Sequence, residues 1–253
     1  KLNSKVKENG KMKIGFWGAG KMAHGILAAM PKGSSVLLSS IEDNRNVEVA
    51  KKCKLIFLAV RPQDVSAVAA EVKDLLPDGH TVVSIVAGKT IASLRKAFGR
   101  KAGIIRVMPN LALRSGAGMC AICPARGADA GHVATVEKIL GGAGVTVILK
   151  ERHFDAVTAL SGSGPAFFAY MEEAMAEGGV KLGLKPDVAR KLAEQTMLGT
   201  AAYLRQSGAD LGEFIAGVAT KGGTTAAGMD VMRASEFKDI VASTLAAAAA
   251  RSA

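Results

Sequence analysis

Two stretches of this sequence leave backbone amides bare beside small side chains, a chemistry suited to holding anions. The first is "GFWGAGKMA" at residues 15–23. A short apolar run ends there in glycines, and "KMAHGILAAM" continues with helical spacing. A strand, a tight glycine turn and a helix are what a dinucleotide site needs at its start. Gly18 permits the turn, Gly20 lets the backbone approach a pyrophosphate, and Ala23 stands where a third glycine would keep helix and sheet close. The anion would rest on the helix start, where free N–H groups and the helix dipole favour it. The second stretch is "TKGGTTAAGM" at residues 220–229. Gly222 and Gly223 expose amides, Thr224 and Thr225 add hydroxyls, and a helix beginning there adds its dipole. A small carboxylate fits such a nest. Read from these residues alone, a tight helix–helix turn with capping threonines fits equally well.

The elements between them decide how these stretches are positioned. After the glycine loop the sequence alternates. "SVLLSS", "KLIFLAV", "TVVSIVAG", "GIIRVMPN", "GAGMCAIC" and "VTVIL" read as strands. "NVEVAKKC", "VSAVAAEVKDLL", "IASLRKAF" and "ATVEKILGGAG" read as the helices between them. This predicts a doubly wound, mostly parallel sheet with helices on both faces. Ligands of such sheets sit off the carboxyl ends of the strands, which here read "GAG", "SS", "AVRP", "VAG" and "MPN", all small or polar. At the tip of the second strand, Ser39 and Ser40 stand where NAD enzymes usually place an acid. Their hydroxyls suit a 2′-phosphate and favour NADPH, with NADH as the alternative donor; Glu42 and Asp43 close by weigh the other way. From "HFDAVTALSGSGPAFF" onward the pattern is helical, broken between Ser161 and Pro165, and "KPDVARKLAEQTMLGTAAYLRQS", "LGEFIAGVA" and "FKDIVASTLAAAAA" add further helices. The expected division is a tail at residues 1–11, a dinucleotide-binding domain at 12–150 and a helical domain at 151–253.

Composition narrows the function classes. The chain has 253 residues, 49% of them apolar, 22% charged and 4% aromatic, with a net charge of +11. The basic residues are spread along the chain without interleaved aromatics, which argues against nucleic acid and for attraction of small anions. No apolar run is long enough for a membrane span. The three cysteines, Cys53, Cys120 and Cys123, suggest a reducing compartment, hence the cytoplasm. "CAIC" lies in a strand pattern, where a spacing of three sends the thiols to opposite faces, and no second Cys/His pair completes a metal set. The four histidines, His24, His80, His132 and His153, read as caps or surface residues.

Taken in order, "GAGKMA", "FLAVRPQDV", "SIVAGKTI", "RVMPN", "FDAVTALSGSGPAF", "EAMAEGGVKLGL" and "TKGGTTAAGM" resemble the pyrroline-5-carboxylate reductase family from about Lys13 to the C-terminus. The resemblance implies a Rossmann-type domain followed by an all-α dimerisation domain, with interlocked helical domains in a homodimer and a possible higher ring. It implies reduction of a cyclic imino acid, Δ1-pyrroline-5-carboxylate, to proline by direct hydride transfer from the nicotinamide. Gly18, Ala19, Gly20, Lys21 and Met22 then fall in the pyrophosphate loop. Asn46 touches the cofactor, Ala59, Val60, Arg61 and Pro62 lie beside it, and Ala87 and Asn110 fall near the nicotinamide. Glu173 faces the substrate pocket, while Thr220, Gly222, Gly223, Thr224 and Thr225 hold the carboxylate. Thr225 or a water delivers the proton to the ring nitrogen. Another NADP-dependent imine or β-hydroxyacid reductase, or a non-catalytic NADP sensor, remains open on the residues.

The sequence departs from the family at three places. Leu111 and Ala112 replace Thr-Pro after "MPN", and Thr220 and Lys221 replace Ser-Pro before the glycine pair. Between Ser40 and Asn46 a helix and a strand of roughly twenty residues are missing, while a parallel crossover needs about a dozen residues. The expectation is a mobile loop interrupting the numbering between Ile41 and Asn44; a genuine deletion would leave the adenosine end of the cofactor site incomplete and would count against activity.

Overall fold

The computed structural model describes residues 12–76 and 78–252, so the tail expected at residues 1–11 lies outside the described residues. The chain divides into two units, one running to Gly162 and taking in the end of the last helix from Ala249, the other spanning Ser163–Ala248.

In the first unit the chain runs β1 (Ile14–Trp17), α1 (Lys21–Ala29), β2 (Val36–Ser39), α2 (Asn46–Lys52), β3 (Leu55–Leu58), α3 (Val65–Val72), β4 (Thr81–Ser84) and α4 (Ile91–Phe98). It continues with β5 (Gly103–Pro109), β6 (Gly118–Pro124), α5 (Ala130–Gly141), β7 (Gly144–Ile148) and the single turn α6 (Phe154–Val157). The seven strands lie in the order β2-β1-β3-β4-β5-β6-β7. All pairs are parallel except β5 with β6. β1, β3 and β4 are buried along their whole length because both faces of the sheet are covered. On one face Phe16 stacks on Phe57 with ring centroids 4.9 Å apart, among Ile26 of α1 and Ile139 of α5. On the other, Trp17 stacks on Phe98 at 5.5 Å, among Val49, Val68 and Leu94 of α2, α3 and α4. Each such side chain, fully buried, contributes roughly 1.5–3 kcal/mol.

The interval between Ser40 and Asn46 corrects the expectation of an interrupted loop. Residues 40–44 form one continuous turn. The Asn44 amide donates to the Ser40 carbonyl at 3.1 Å, the Ser40 amide to Asp43 Oδ1 at 2.8 Å and the Asp43 amide to Ser40 Oγ at 3.3 Å. Asn44 takes the left-handed conformation (φ 38) that asparagine tolerates better than most residues. From Ser40 to Lys54 the chain has enough length to cross β1 through α2 and enter β3. The deletion is genuine, and it leaves β2 as the edge of the sheet.

Two histidines also differ from expectation. His80 is buried, with Nε2 bonded to the Ala50 carbonyl at 3.1 Å, and His132 Nδ1 bonds Thr81 Oγ1 at 2.7 Å. Both hold helices to β4.

The thiols of Cys120 and Cys123 face different core clusters, as strand alternation requires. Burial pushes Cys53 up to about 11 and Cys120 up to about 12, and raises Cys123. Native protein is therefore expected to resist a thiol reagent until denaturant is added, because the thiolate is the reacting form. The folded state keeps these protons where the unfolded chain loses them. Stability should be intact below the ordinary thiol value of 9.0 and fall as pH rises above it. Rapid labelling of native protein would contradict this.

The second unit contains α7 (Gly164–Lys181), α8 (Pro186–Ser207), α9 (Leu211–Val218), α10 (Thr224–Ala234) and α11 (Phe237–Ser252), the last crossing into the first unit at its end. Phe168, Tyr170, Leu198 and Val231 are 63–74% exposed. No helix among the described residues is long and apolar enough to cross a membrane.

Candidate active site

A cleft of about 650 Å³ opens at the carboxyl ends of β1, β2 and β3. Gly18, Ala19, Gly20, Ser39, Ser40, Asn46, Ala59, Val60 and Arg61 line it together. Gly18 has φ +103, and a Cβ there would lie 2.5 Å from the Ala59 carbonyl oxygen, so β1 and β3 leave no room for a side chain. Gly20 is the N-cap of α1; no side chain caps it, and the first turn carries no acid. A Cβ on Gly20 would point into open space. The orphan amides of α1 thus face a cradle without side chains, which fits the pyrophosphate of a dinucleotide. Lys21 and Met22 stand in the first turn of α1, and Pro62 opens a short 3₁₀ turn after β3.

On the adenosine side, Ser39, Ser40 and Asn46 line the cleft and also take part in a hydrogen-bonded network. Ser39 is 1% exposed and its hydroxyl donates to Asn46 Oδ1 at 2.8 Å. Asn46 Nδ2 in turn donates to Glu71 at 2.9 Å, and Trp17 Nε1 donates to the Asn46 carbonyl at 3.2 Å. Ser39 and Asn46 therefore brace β1, β2, α2 and α3 with these groups. The Ser40 hydroxyl is engaged by Asp43. Ile41, Glu42, Asn44, Asp64 and Val68 also line the cleft. Of these, Glu42 alone was weighed from the sequence, because an interrupted loop was expected where the short turn lies.

Ala87 follows β4 and Asn110 follows β5. Asn110 Oδ1 accepts from the Met119 amide at 3.0 Å, and its Nδ2 lies 3.5 Å from Ser161 Oγ. Ser161 belongs to a π turn, Thr158–Gly162, that carries the chain from α6 off the sheet. That segment is anchored by Arg106 of β5. Arg106 is 6% exposed, donates to Glu151 Oε1 at 3.0 Å and lies 4.6 Å from the Phe154 ring centroid. The same Glu151 oxygen accepts the Ile91 amide at 2.6 Å, at the start of α4.

The second glycine-rich helix start lies in the helical unit. Gly222 has φ +75, which turns the chain, and Gly223 is the N-cap of α10 with no side-chain cap and no acid in the first turn. The Gly223 amide is spent on the Thr220 carbonyl at 2.9 Å. Thr224 and Thr225 occupy the first helical positions, so their amides and hydroxyls remain for an acceptor. Glu173 lies on α7 in a separate groove with Tyr170, Lys181 and Arg190. Among the described residues no cluster of three His, Cys, Asp or Glu side chains could hold a metal.

Residues 151–253 match the family described as pyrroline-5-carboxylate reductase dimerisation, and residues 13–88 match that described as NADP oxidoreductase coenzyme F420-dependent. Pyrroline-5-carboxylate reductase 3 of Rattus norvegicus is 32% identical, over 94% of this chain and 94% of its own. The chain belongs to the pyrroline-5-carboxylate reductase family. A pyrroline-5-carboxylate reductase of Coxiella burnetii superposes with a TM-score of 0.89 at 26% identity, covering 96% of this chain and 98% of its own. The Plasmodium falciparum pyrroline carboxylate reductase, solved with NADP bound, has a TM-score of 0.82 at 28% identity, covering 95% and 97%. The rat alignment runs over 260 positions but holds 94% of this chain, about 238 residues. Roughly twenty positions of that alignment have no counterpart in this chain. As a pyrroline-5-carboxylate reductase family member the chain is an oxidoreductase with an NADP-binding domain and a homo-oligomer-forming helical domain.

Proposed function

We propose that this protein reduces Δ1-pyrroline-5-carboxylate to L-proline with NADPH, the last step of proline synthesis. The observation that carries this reading is the uncapped start of α10 at Gly223, which suits an amino-acid carboxylate, in a chain whose other unit carries the dinucleotide loop. The cleft at Gly18, Ala19 and Gly20 would hold NADPH, which when bound would supply a hydride for the imine carbon. The chain's own residues position the reactants. Amides and hydroxyls of Thr224 and Thr225, with the Gly222 amide and the Thr220 hydroxyl, hold the carboxylate, while Gly223 shapes the turn with its amide on the Thr220 carbonyl. Glu173, which lines its own groove on α7 with Tyr170 and Arg190, is the residue that the family resemblance assigns to the substrate, and Ala87 and Asn110 are those it assigns to the nicotinamide end. Positioning of this kind is worth several kcal/mol, and a protonated imine needs no strong acid beside it. The proton on the ring nitrogen comes from the Thr225 hydroxyl or a water it orders. The helical domains, from about residue 151, interlock in a dimer that can build a larger ring, and the enzyme works in the cytoplasm.

The test is NADPH oxidation with pyrroline-5-carboxylate. Thr225→Ala is expected to lower kcat/KM by about 10- to 100-fold, the size of a lost hydrogen bond to a charged group, with NADPH affinity unchanged. NADPH binding without turnover of any cyclic imine in the unaltered protein would replace this reading with the sensor.

A further inference from the structure

We propose that the open edge of β2 pairs with β2 of a second copy of this chain, antiparallel about a two-fold axis, and joins two sheets into one. This goes beyond the proposed reaction and does not depend on it. The bonds to β1 fix which way each main-chain group of β2 points. The Ile14 amide donates to the Ser35 carbonyl and the Gly18 amide to the Ser39 carbonyl, each at 2.9 Å. Alternation along the strand therefore turns Ser35, Leu37 and Ser39 toward β1, and Val36, Leu38 and Ser40 away from it. Ser40 is already capped: its amide donates to Asp43 Oδ1 at 2.8 Å and its carbonyl accepts from the Asn44 amide at 3.1 Å. The N–H and C=O groups of Val36 and Leu38 remain, with no strand beside them in the sheet order β2-β1-β3-β4-β5-β6-β7. Natural sheets blunt such an edge with lysine, proline or a bulge. Residues 34–40, "SSVLLSS", carry neither charge nor proline, and β2 pairs with β1 residue for residue without a bulge.

The edge is complementary to itself. A two-fold axis at Leu37 sets Val36 opposite Leu38 of the second copy, and Leu38 opposite its Val36. In an antiparallel ladder each such pair exchanges both of its hydrogen bonds, so every open group of the edge is satisfied. Charge selects the same arrangement. Lys32 stands before β2 and Glu42 after it, both exposed. Antiparallel pairing carries the lysine of each copy toward the glutamate of the other, whereas parallel pairing would set like charges together. The bonds gained are those of two residue pairs, fewer than the roughly ten of a standard interface. The pairing therefore acts on protein already assembled through its helical domain. A dimer carries two such edges, and a second isologous interface joins dimers into a closed set or an open chain. The shortened crossover makes this possible, because a further strand beyond β2 would occupy the edge.

The experiment is sedimentation velocity of the full chain over a concentration series at low ionic strength, with hydrogen exchange of the segment 34–41 at both ends of the series. The expected result is a second association step beyond the helical assembly, and slower exchange at Val36 and Leu38 in the concentrated protein. Lys32→Glu and Glu42→Lys should each weaken that step by about 10-fold or more, because like charges then face each other. The two substitutions together keep the net charge of the protein and should restore the step. Leu38→Pro should remove it, since the outward amide is lost while β1 keeps its bonds. Thermal melting checks that Leu38→Pro is folded, and the charge variants decide the matter if it is not. A single assembly size at every concentration, exchange at 34–41 that is independent of concentration, a double variant as weak as the single ones, or a second step that survives in folded Leu38→Pro would overturn the proposal.

Discussion

Gly18→Ala is expected to weaken NADPH binding by about 100-fold or more. An alanine at φ +103 sits in strained backbone, a cost of about 1–3 kcal/mol. Its Cβ would also lie 2.5, 2.7 and 2.9 Å from the Ala59 oxygen, the Ala59 carbonyl carbon and the Val60 nitrogen. All three are backbone atoms at the end of a fully buried strand, so the neighbour cannot yield by changing a rotamer. The glycine loop must move instead, and it carries the start of α1 with it. Titration calorimetry reads the affinity and thermal melting the accompanying loss of stability. Gly20→Ala separates the two effects. Its φ is −73 and its Cβ meets open space, so that variant should melt like the unaltered protein yet crowd the pyrophosphate. If Gly18→Ala binds NADPH normally, the cradle has been assigned wrongly.

Arg106→Met is expected to cost about 3–5 kcal/mol of stability, because breaking a buried pair strands the partner's charge. The side chains of Arg106 and Glu151 are 7% and 33% exposed, so water screens the pair weakly on the arginine side. Glu151 would still cap the Ile91 amide, but its charge would lose the guanidinium, and Phe154 would lose the cation over its ring. Urea unfolding measures the loss, which corresponds to a fall in melting temperature of roughly 10 °C. Glu151→Gln keeps an acceptor for both donors and should lose less. A melting temperature unchanged in Arg106→Met would mean that the segment leaving the sheet is held by Phe154 alone.

Much of this architecture is written in the sequence, for reasons that also mark where reading it fails. Strands buried on both faces leave continuous apolar runs between helical patterns, so "KLIFLAV" and "TVVSIVAG" could be placed as β3 and β4. Such runs carry no direction, and the antiparallel β6 was not foreseen. The signal was present in the interval: from Asn110 to Ala117 the chain is too short for a parallel crossover. The bond from Ser39 to Asn46 was hidden for a related reason. In an edge strand successive residues alternate between faces, and Leu37 and Ser39 are the inward pair while Val36 and Leu38 are half-covered. Following that alternation would have set Ser39 on the covered side with Leu37, within reach of Asn46. The glycine–threonine stretch was legible as a helix start because Gly223 has no competing cap. What the residues themselves left open was whether that start serves an anion or only ends a turn.

Phe168, Tyr170, Leu198 and Val231 stand on a set of helices that encloses little apolar interior of its own. For a family whose helical domain pairs with another copy, such a half is completed by association. Dilution then acts on it as urea acts on an ordinary protein, and a melting temperature for this enzyme has meaning only beside the protomer concentration at which it was taken.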